Sequence, residues 1–359
     1  MNAEHVGHWF EEKRIADYVK HHFGFEIKKA EPIRGIIKLT SNMGTFVLKR
    51  VAASEKELWK MIAELAVHLG IRFPIPAPVP TKAGQLTFDG FQHKYVLLPW
   101  IPAKTVQLQN EEDWRQVTKQ LAYLHQYSTS FRPVHAYRKL QRVGKWQADW
   151  KHAYRQLELY QRAAKWADEQ TQTDQSWLKV AHYSMSMMEN LLRYYEKIKG
   201  DQSCRETVER GKICHGNLHP SNMLLDHKRQ FYLIDWNKAV FDVRTRDLAQ
   251  WMLYAYYRTK SQELLATLLR AYQQISPLLE VEYALIYARF LYPERLVGVL
   301  RTIYEDQTLP ITAGAPSILF ASKVEEQKLG LMKIYPEMVQ KEFGIHIPII
   351  DWISKLNDK

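Results

Sequence analysis

Residues 214–226 read Cys-His-Gly-Asn-Leu-His-Pro-Ser-Asn-Met-Leu-Leu-Asp, and residues 231–237 read Phe-Tyr-Leu-Ile-Asp-Trp-Asn. The two short apolar runs in this stretch are separated by polar turn residues, which predicts a β-hairpin. Such a hairpin would bring Asn222, before its first strand, close to Asp235, after its second. Amide and carboxylate oxygens are ligands that Mg²⁺ accepts, so the pair is a candidate metal site. Outside such a pattern, Asn222 would be an ordinary turn residue and Asp235 an ordinary cap.

The first hundred residues favour a small lobe that is rich in β-structure. Strand-like apolar runs recur between residues 26 and 51 and again at 94–101. Between them, apolar residues at helical spacing predict an amphipathic helix that begins at a Ser54 cap and ends at Gly70. The prolines of residues 73–81 exclude a helix there, because each proline lacks a donor and restricts the residue before it.

Helical patterns dominate from Glu111 onward, apart from the predicted hairpin. The change from strand to helix patterns falls at the proline-punctuated residues 99–104. We therefore predict an α+β chain of two lobes, a small β-rich lobe over residues 1–100 and a larger, mainly helical lobe over residues 101–359.

The order and spacing of the motif carry a family resemblance. His215-Gly-Asn, then Asn222, then Ile234-Asp-Trp and finally Arg246-Asp-Leu-Ala resemble the catalytic block of the aminoglycoside phosphotransferase and choline kinase superfamily. The resemblance is most specific over residues 210–255. It implies a protein-kinase-like two-lobed fold, a nucleotide site for ATP, and Mg²⁺ held by Asn222 and Asp235.

The resemblance also assigns roles around the phosphates. Lys49, at the end of an apolar strand, resembles the lysine that contacts the nucleotide phosphates in kinase folds. In that fold the lysine pairs with a helix glutamate, for which Glu57 is favoured over Glu64. The alternative is that all three are ordinary surface charges.

Further roles implied by the resemblance concern the lobe connection and the catalytic loop. Leu98 and Trp100 would belong to the hinge against which adenine packs, although the same residues would suit a plain linker. His215 would orient the catalytic loop. Asp247, at a helix start, would brace that loop. A carboxylate at this position is also favoured simply because it caps the helix and faces the positive end of the helix dipole, so either role is structural.

The chain departs from the superfamily pattern at Asn217, where an active enzyme carries the aspartate that orients the acceptor hydroxyl and takes its proton. An amide oxygen can accept a hydrogen bond but cannot take that proton. General-base assistance contributes roughly 10²–10⁴ in rate, so weak or absent phosphotransfer is expected. Neither His219 nor Asp235 is expected at a geometry that would replace it.

The layout of the chain is similar to the CotS type of bacterial spore-coat proteins. The similarity rests on Pro76-Ala-Pro-Val-Pro-Thr-Lys-Ala-Gly, on Leu97-Leu-Pro-Trp-Ile, on Leu121-Ala-Tyr-Leu-His and on Ile213-Cys-His-Gly-Asn. It implies synthesis in the cytoplasm of the mother cell, deposition on the spore coat and other coat proteins as partners.

Composition narrows the class of protein. The formal net charge of +11 favours anionic partners without choosing among them, and no basic arm or zinc-finger spacing points to nucleic acid. No long apolar run predicts a membrane span, and residues 1–14 lack a secretory signal. Cys204 and Cys214 are expected to be unpaired thiols. A zinc site on Cys214, His215 and His219 is disfavoured, because no second ligand pair accompanies them.

Three functions follow from these observations. The favoured one is a spore-coat protein on a kinase scaffold whose catalysis is degenerate at Asn217. The alternative is an active ATP- and Mg²⁺-dependent kinase for a hydroxyl of a small molecule, motivated by Lys49, Asn222 and Asp235. A binder of nucleic acid or another anionic polymer rests on the net charge alone.

Overall fold

A computed structural model describes residues 14–33 and 35–354. Residues 1–13, over which the sequence predicts no secretory signal, lie outside the described residues. The chain divides into two compact units. The first comprises residues 1–108, 127–141 and 215–240, and the second comprises residues 109–126, 142–214 and 241–359. The lobe boundary near residue 100 stays a prediction.

Helices make up most of the described chain. In chain order they are α1 Ile15–Phe23, α2 Lys56–Leu69, α3 Glu111–Ser128, α4 Trp146–Trp166, α5 Gln172–Lys197, α6 Gly200–Thr207, α7 Thr245–Thr259, α8 Gln262–Gln273, α9 Glu280–Leu291, α10 Glu294–Tyr304, α11 Ala315–Phe343 and α12 Asp351–Ser354. The strands are β1 Ile27–Ile33, β2 Ile36–Ser41, β3 Gly44–Val51, β4 Phe88–Asp89, β5 Lys94–Pro99, β6 Lys104–Thr105, β7 Ile213–Cys214, β8 Met223–Leu225, β9 Phe231–Leu233 and β10 Val240–Phe241. The predicted small antiparallel sheet and mainly helical remainder are confirmed.

The first unit is built on a five-stranded antiparallel sheet in the order β1-β2-β3-β5-β4. Alternate residues of β2, including Ile37 and Leu39, are fully buried, as expected for a strand with one face on a core. Helix α1 contributes Ile15 and Val19 to the same core cluster. In the register of β3 with β5, Lys49 lies opposite Val96.

Helix α2 ends where the sequence predicts but begins two residues after the predicted cap. Its C-cap is Gly70, whose backbone N–H donates to Ala66 O, and Gly70 has a positive φ of 54°. Ser54 lies inside a 3₁₀ turn formed by residues 53–55, one residue before the N-cap position. The prediction that Ser54 caps the helix is therefore wrong. The reason is local: Glu55 occupies the N-cap position and no side chain caps the helix by a hydrogen bond.

The predicted hairpin is present in the first unit. Strands β8 and β9 pair antiparallel with Met223 opposite Leu233 and Leu225 opposite Phe231. The short strand β6 adds to the outer edge of β8. The turn that joins β8 to β9 is held by Asp226, whose carboxylate accepts the backbone N–H groups of residues 228 and 230.

A buried ion pair lies in the interior of the second unit. The guanidinium of Arg244 donates through Nε and Nη2 to the two carboxylate oxygens of Glu282, each at 2.7 Å. Its remaining donors reach the carbonyl oxygens of Ser276 and Pro277 and the Ser276 hydroxyl. Because both charged groups are almost fully buried, each depends on the other to avoid an uncompensated charge.

A second buried contact in this unit joins His125 to its neighbours. The His125 Nδ1 lies 2.6 Å from the hydroxyl oxygen of Tyr272, and its Nε2 lies 3.5 Å from Asp247 Oδ2. Burial lowers the pKa of His125, although the carboxylate of Asp247 opposes that effect. The folded protein therefore disfavours the charged form of His125 relative to the unfolded chain.

We expect Glu282→Gln to lower the free energy of unfolding by roughly 3–5 kcal/mol, because it leaves the Arg244 charge buried without a counter-ion. Urea unfolding followed by circular dichroism measures the change. Glu112→Gln, which removes the exposed partner of Arg115, is the matched control and should change stability by less than about 1 kcal/mol. Equal effects of the two changes would contradict the importance of the buried pair.

We expect stability to fall as the pH drops below about 6.5, the ordinary pKa of histidine, because the unfolded chain then binds a proton at His125 more readily than the folded protein does. His125→Gln should be less stable near pH 8 but should lose less stability on acidification. Urea unfolding at a series of pH values measures both slopes. The same change at the exposed His346 is the control, and identical slopes for wild type and His125→Gln would refute the assignment.

Candidate functional site

The loop before the hairpin is held in place by His215. Its buried imidazole contacts Ile234 O through Nε2 at 2.9 Å, and its Nδ1 lies 3.3 Å from the backbone nitrogen of Asn217. Since that backbone N–H must donate, Nδ1 accepts and Nε2 carries the proton that is donated to Ile234. The ring also packs edge-on against Trp236 at 4.8 Å. His215 thus connects the loop to the end of β9.

Gly216 is required in this loop by its backbone conformation and its surroundings. Its φ is +73°, a region that side chains other than glycine rarely adopt. A Cβ at this position would lie 2.5 Å from Lys238 O, closer than any packed side chain could approach. The glycine of the motif therefore serves the close approach of two backbone segments.

Asp235 and Lys49 form an ion pair at the end of the hairpin. The Lys49 ammonium donates to Asp235 Oδ1, and both side chains are partly buried. Asp235 has a left-handed backbone with φ of 65°, which is uncommon outside glycine and concentrates at functional sites. The contact brings strand β3 of the sheet and the end of β9 together within the first unit.

Asn217 extends this ion pair through its side-chain amide. Its Nδ2 donates to Asp235 Oδ2 at 3.3 Å, so the two oxygens of Asp235 have different donors. An aspartate at position 217 would instead place a second carboxylate against Asp235. As it stands, the positive charge of Lys49 balances the single negative charge of Asp235.

Asn222 lies beside the same loop and is buried. Its Nδ2 donates to the backbone oxygen of Asn217 at 3.0 Å, and its backbone oxygen accepts the N–H of Ile234 at 2.9 Å. Among the described residues, no hydrogen bond is donated to its Oδ1, which therefore keeps the capacity to bind a cation. The oxygens of Asn222 and Asp235 are hard donors that suit Mg²⁺, with water or phosphate completing the coordination.

The predicted ion pair between Lys49 and Glu57 is not present, since Lys49 pairs with Asp235. Glu57 lies in the first turn of α2, and its Oε2 is buried without a hydrogen-bond partner among the described residues. The physical reason for the difference is that the left-handed Asp235 presents its carboxylate to the lysine. A direct role of Glu57 in nucleotide binding stays a prediction.

Glu64, the other candidate glutamate, is engaged elsewhere. It accepts the backbone N–H of Val134 at 2.8 Å, the Tyr137 hydroxyl at 2.6 Å and contacts His135 Nδ1 at 3.0 Å. Burial raises the pKa of Glu64, but these hydrogen bonds outweigh it and hold the pKa below its usual value. Sequence reasoning missed this anchor, because its partners lie about 70 residues away and carry no motif.

Leu98 and Trp100 lie where β5 ends. Leu98 is buried, and the backbone N–H of Trp100 donates to Thr45 O at 3.0 Å. The Lys38 ammonium lies 4.3 Å from the centre of the Trp100 ring, a cation–π contact that the sequence did not indicate. The adenine-packing role of Leu98 and Trp100 stays a prediction.

Asp247, Cys204 and Cys214 all lie in the second unit. Asp247 is fully buried in the first turn of α7, and its predicted bracing of the catalytic loop stays a prediction. Cys204 and Cys214 are both unpaired and buried, which confirms the expectation of free thiols. Burial raises the pKa of the Cys214 thiol, which donates to Val243 O at 3.2 Å.

The described residues give no support to a zinc site on Cys214, His215 and His219. His215 is engaged by Ile234 and Asn217, and His219 Nδ1 instead caps the following turn through Ser221. Over residues 14–33 and 35–354, none of the helices combines the length and apolar character that a bilayer crossing requires.

The fold has a solved relative among phosphotransferases. Spectinomycin phosphotransferase, solved in complex with ADP and spectinomycin, superposes with a TM-score of 0.61 at 17% sequence identity and covers 88% of this chain and 93% of its own. At that identity the likeness shows the fold alone. It confirms the protein-kinase-like fold that the motif predicts.

Two curated relatives come from Bacillus subtilis (strain 168). Endospore coat-associated protein YutH is 23% identical over 281 residues, covering 77% of this chain and 78% of its own length. Spore coat protein S is 22% identical over 341 residues, covering 92% of this chain and 96% of its own length. The predicted resemblance to spore-coat proteins is confirmed. Residues 16–312 also match a family model, and the chain therefore belongs to the family described as "Spore coat putative kinase YutH".

Proposed function

We propose that this protein is a spore-coat protein on a kinase scaffold that binds a nucleotide and Mg²⁺ but transfers phosphate weakly or not at all. The observation that carries the proposal is the amide of Asn217, which donates to Asp235 Oδ2 at the position of the usual catalytic base. The coat assignment is supported by the two Bacillus subtilis relatives, whose names place them at the spore coat. Synthesis in the mother cell and other coat proteins as partners belong to the same proposal.

The nucleotide part of the proposal rests on the groups gathered around Asp235. Asn222 Oδ1 and the Asp235 carboxylate would hold Mg²⁺, and Lys49 would contact the phosphates. Leu98 and Trp100 would bound the adenine. Bound Mg²⁺ would supply charge neutralisation of the phosphates. The solved phosphotransferase relative was obtained with ADP, which supports a nucleotide as the ligand class.

Weak catalysis follows from the chemistry of the amide. Asn217 Nδ2 is a donor toward Asp235, and its Oδ1 can accept a hydrogen bond from an acceptor hydroxyl without taking the proton. Phosphoryl transfer passes through a loose transition state that makes a modest demand on proton removal, so positioning by Lys49 leaves a residual rate. This residual rate would be lower by roughly 10²–10⁴ than that of an enzyme that has the base.

We expect ATP at millimolar concentration to raise the melting temperature, and Mg²⁺ to enlarge the shift, because a ligand of the folded state stabilises it by mass action. Asp235→Asn should remove the Mg²⁺-dependent part, and Lys49→Ala should weaken both parts. Differential scanning fluorimetry with ATP, with and without Mg²⁺, measures the shifts. Lys56→Ala, an exposed lysine at the start of α2, is the control. The absence of any shift in wild type would overturn the nucleotide site.

We expect Asn217→Asp to increase ATP turnover by roughly 10²–10⁴, since it restores a group that can accept the proton. It should also make stability more dependent on Mg²⁺, because two adjacent carboxylates repel each other until a cation binds. Phosphate release in the presence of ATP and Mg²⁺ measures turnover. Asn217→Ala is the comparison that removes the amide without adding a base. If wild type turns over rapidly and Asn217→Asp adds nothing, the protein is an active kinase instead.

A further inference from the structure

Helix α4 has one buried face and one exposed face over its whole length. The buried side chains recur at helical spacing and are Trp146, Trp150, Ala153, Leu157, Tyr160 and Ala164. The opposite side, called the α4 face here, consists of Lys151, His152, Arg155, Leu159, Arg162, Lys165 and Trp166, all of which are exposed. The helix is therefore packed on one side and unpartnered on the other.

The α4 face carries an excess of positive charge. Among the described residues, none of its basic side chains forms an ion pair or a side-chain hydrogen bond. The acidic side chains of the helix are Asp149, which is exposed in the first turn, and Glu158, which is half-buried. Elsewhere in the second unit, by contrast, Arg244 and Arg246 are paired with buried carboxylates. The positive charge of this face thus remains available to an external anionic group.

Two large apolar side chains interrupt this basic surface. Leu159 is 53% exposed and Trp166 is 77% exposed. They lie seven residues apart, which places them about 10.5 Å apart along one side of the helix. Arg162 lies between them and Arg155 lies one turn before Leu159. Tryptophan and arginine are enriched at the centres of protein interfaces.

We propose that the α4 face is a docking surface for an acidic α-helical segment of a partner protein that carries apolar residues at seven-residue spacing. Glutamate or aspartate on the partner complements Arg155 and Arg162, and the partner's apolar residues cover Leu159 and Trp166. Two helices that pack along each other repeat their contacts every two turns, which matches the separation of these two side chains. The charge sets the orientation and the rate of association, and burial of the apolar pair stabilises the complex.

A nucleic acid or another polyanion fits the same surface less well. Its phosphates would engage the arginines, and a base could stack on Trp166, but nothing in such a polymer requires an exposed leucine. The proposed docking uses no residue of the Lys49 and Asp235 site. It therefore goes beyond the proposed nucleotide function and stands or falls separately from it.

The test uses the full-length protein and a synthetic helical peptide with leucine at every seventh position and glutamate on the same side of the helix, at the positions that flank each leucine. Fluorescence anisotropy at low salt should show binding, and the same peptide with serine in place of leucine should bind about tenfold more weakly or worse. Trp166→Ala and the double change Arg155→Glu with Arg162→Glu should each weaken binding by about tenfold or more, and Leu159→Ala by several-fold.

Matched controls separate docking from net charge and from folding. Leu319 is 50% exposed on α11, so Leu319→Ala controls for Leu159→Ala. The double change Arg258→Glu with Lys323→Glu, at exposed residues of α7 and α11, lowers the net charge as much as the α4 reversal does. Both controls should bind the peptide as wild type does, and all variants should keep the wild-type melting temperature.

Three outcomes would overturn the proposal. The first is no binding of the leucine peptide at low salt. The second is equal or tighter binding of the serine peptide, or of a DNA duplex of the same charge, which would show a general polyanion surface. The third is that the α4 variants bind as the controls do. None of these results bears on nucleotide binding, which the ATP titration decides independently.

Discussion

The ion pair between Lys49 and Asp235 is the contact on which the arrangement of the candidate site depends. Lys49 comes from a strand of the five-stranded sheet, and Asp235 follows the second strand of the hairpin. One carboxylate thus links segments that are 186 residues apart in sequence. Asp235 has a left-handed backbone, a conformation that is tolerated where surrounding contacts such as this pair hold it.

The charges of this site balance because position 217 carries an uncharged asparagine. Lys49 supplies one positive charge and Asp235 one negative charge, and the Asn217 amide adds a donor without adding charge. The three groups therefore satisfy one another in the absence of a metal. An aspartate at this position would add a second negative charge, which a bound cation could offset. The asparagine thus adds no charge to the pair of Lys49 and Asp235, and its amide cannot take a proton from a hydroxyl.

The sequence predicted those parts of the structure that local patterns control. The hairpin followed from two apolar runs around a polar turn, and the end of α2 followed from Gly70. The sequence did not predict contacts between residues that lie far apart along the chain. The lysine's partner could not be chosen from sequence, because the conformation of Asp235 decides it. The anchor of Glu64 to residues 134–137 was likewise missed, since no periodicity links groups that far apart.

The net charge of +11 does not by itself show which kind of anionic partner the protein binds. That depends on where the positive side chains lie and on which of them are already paired. Arg244 and Lys49 form ion pairs with carboxylates. Their charges are therefore compensated and contribute little to the electrostatic field outside the protein. The exposed cations of α4 have no such partners among the described residues. A uniform excess of charge would favour any polyanion, whereas a stripe interrupted by Leu159 and Trp166 favours a surface that offers acidic and apolar groups together. The distribution of the charge, more than its amount, therefore argues for a protein partner.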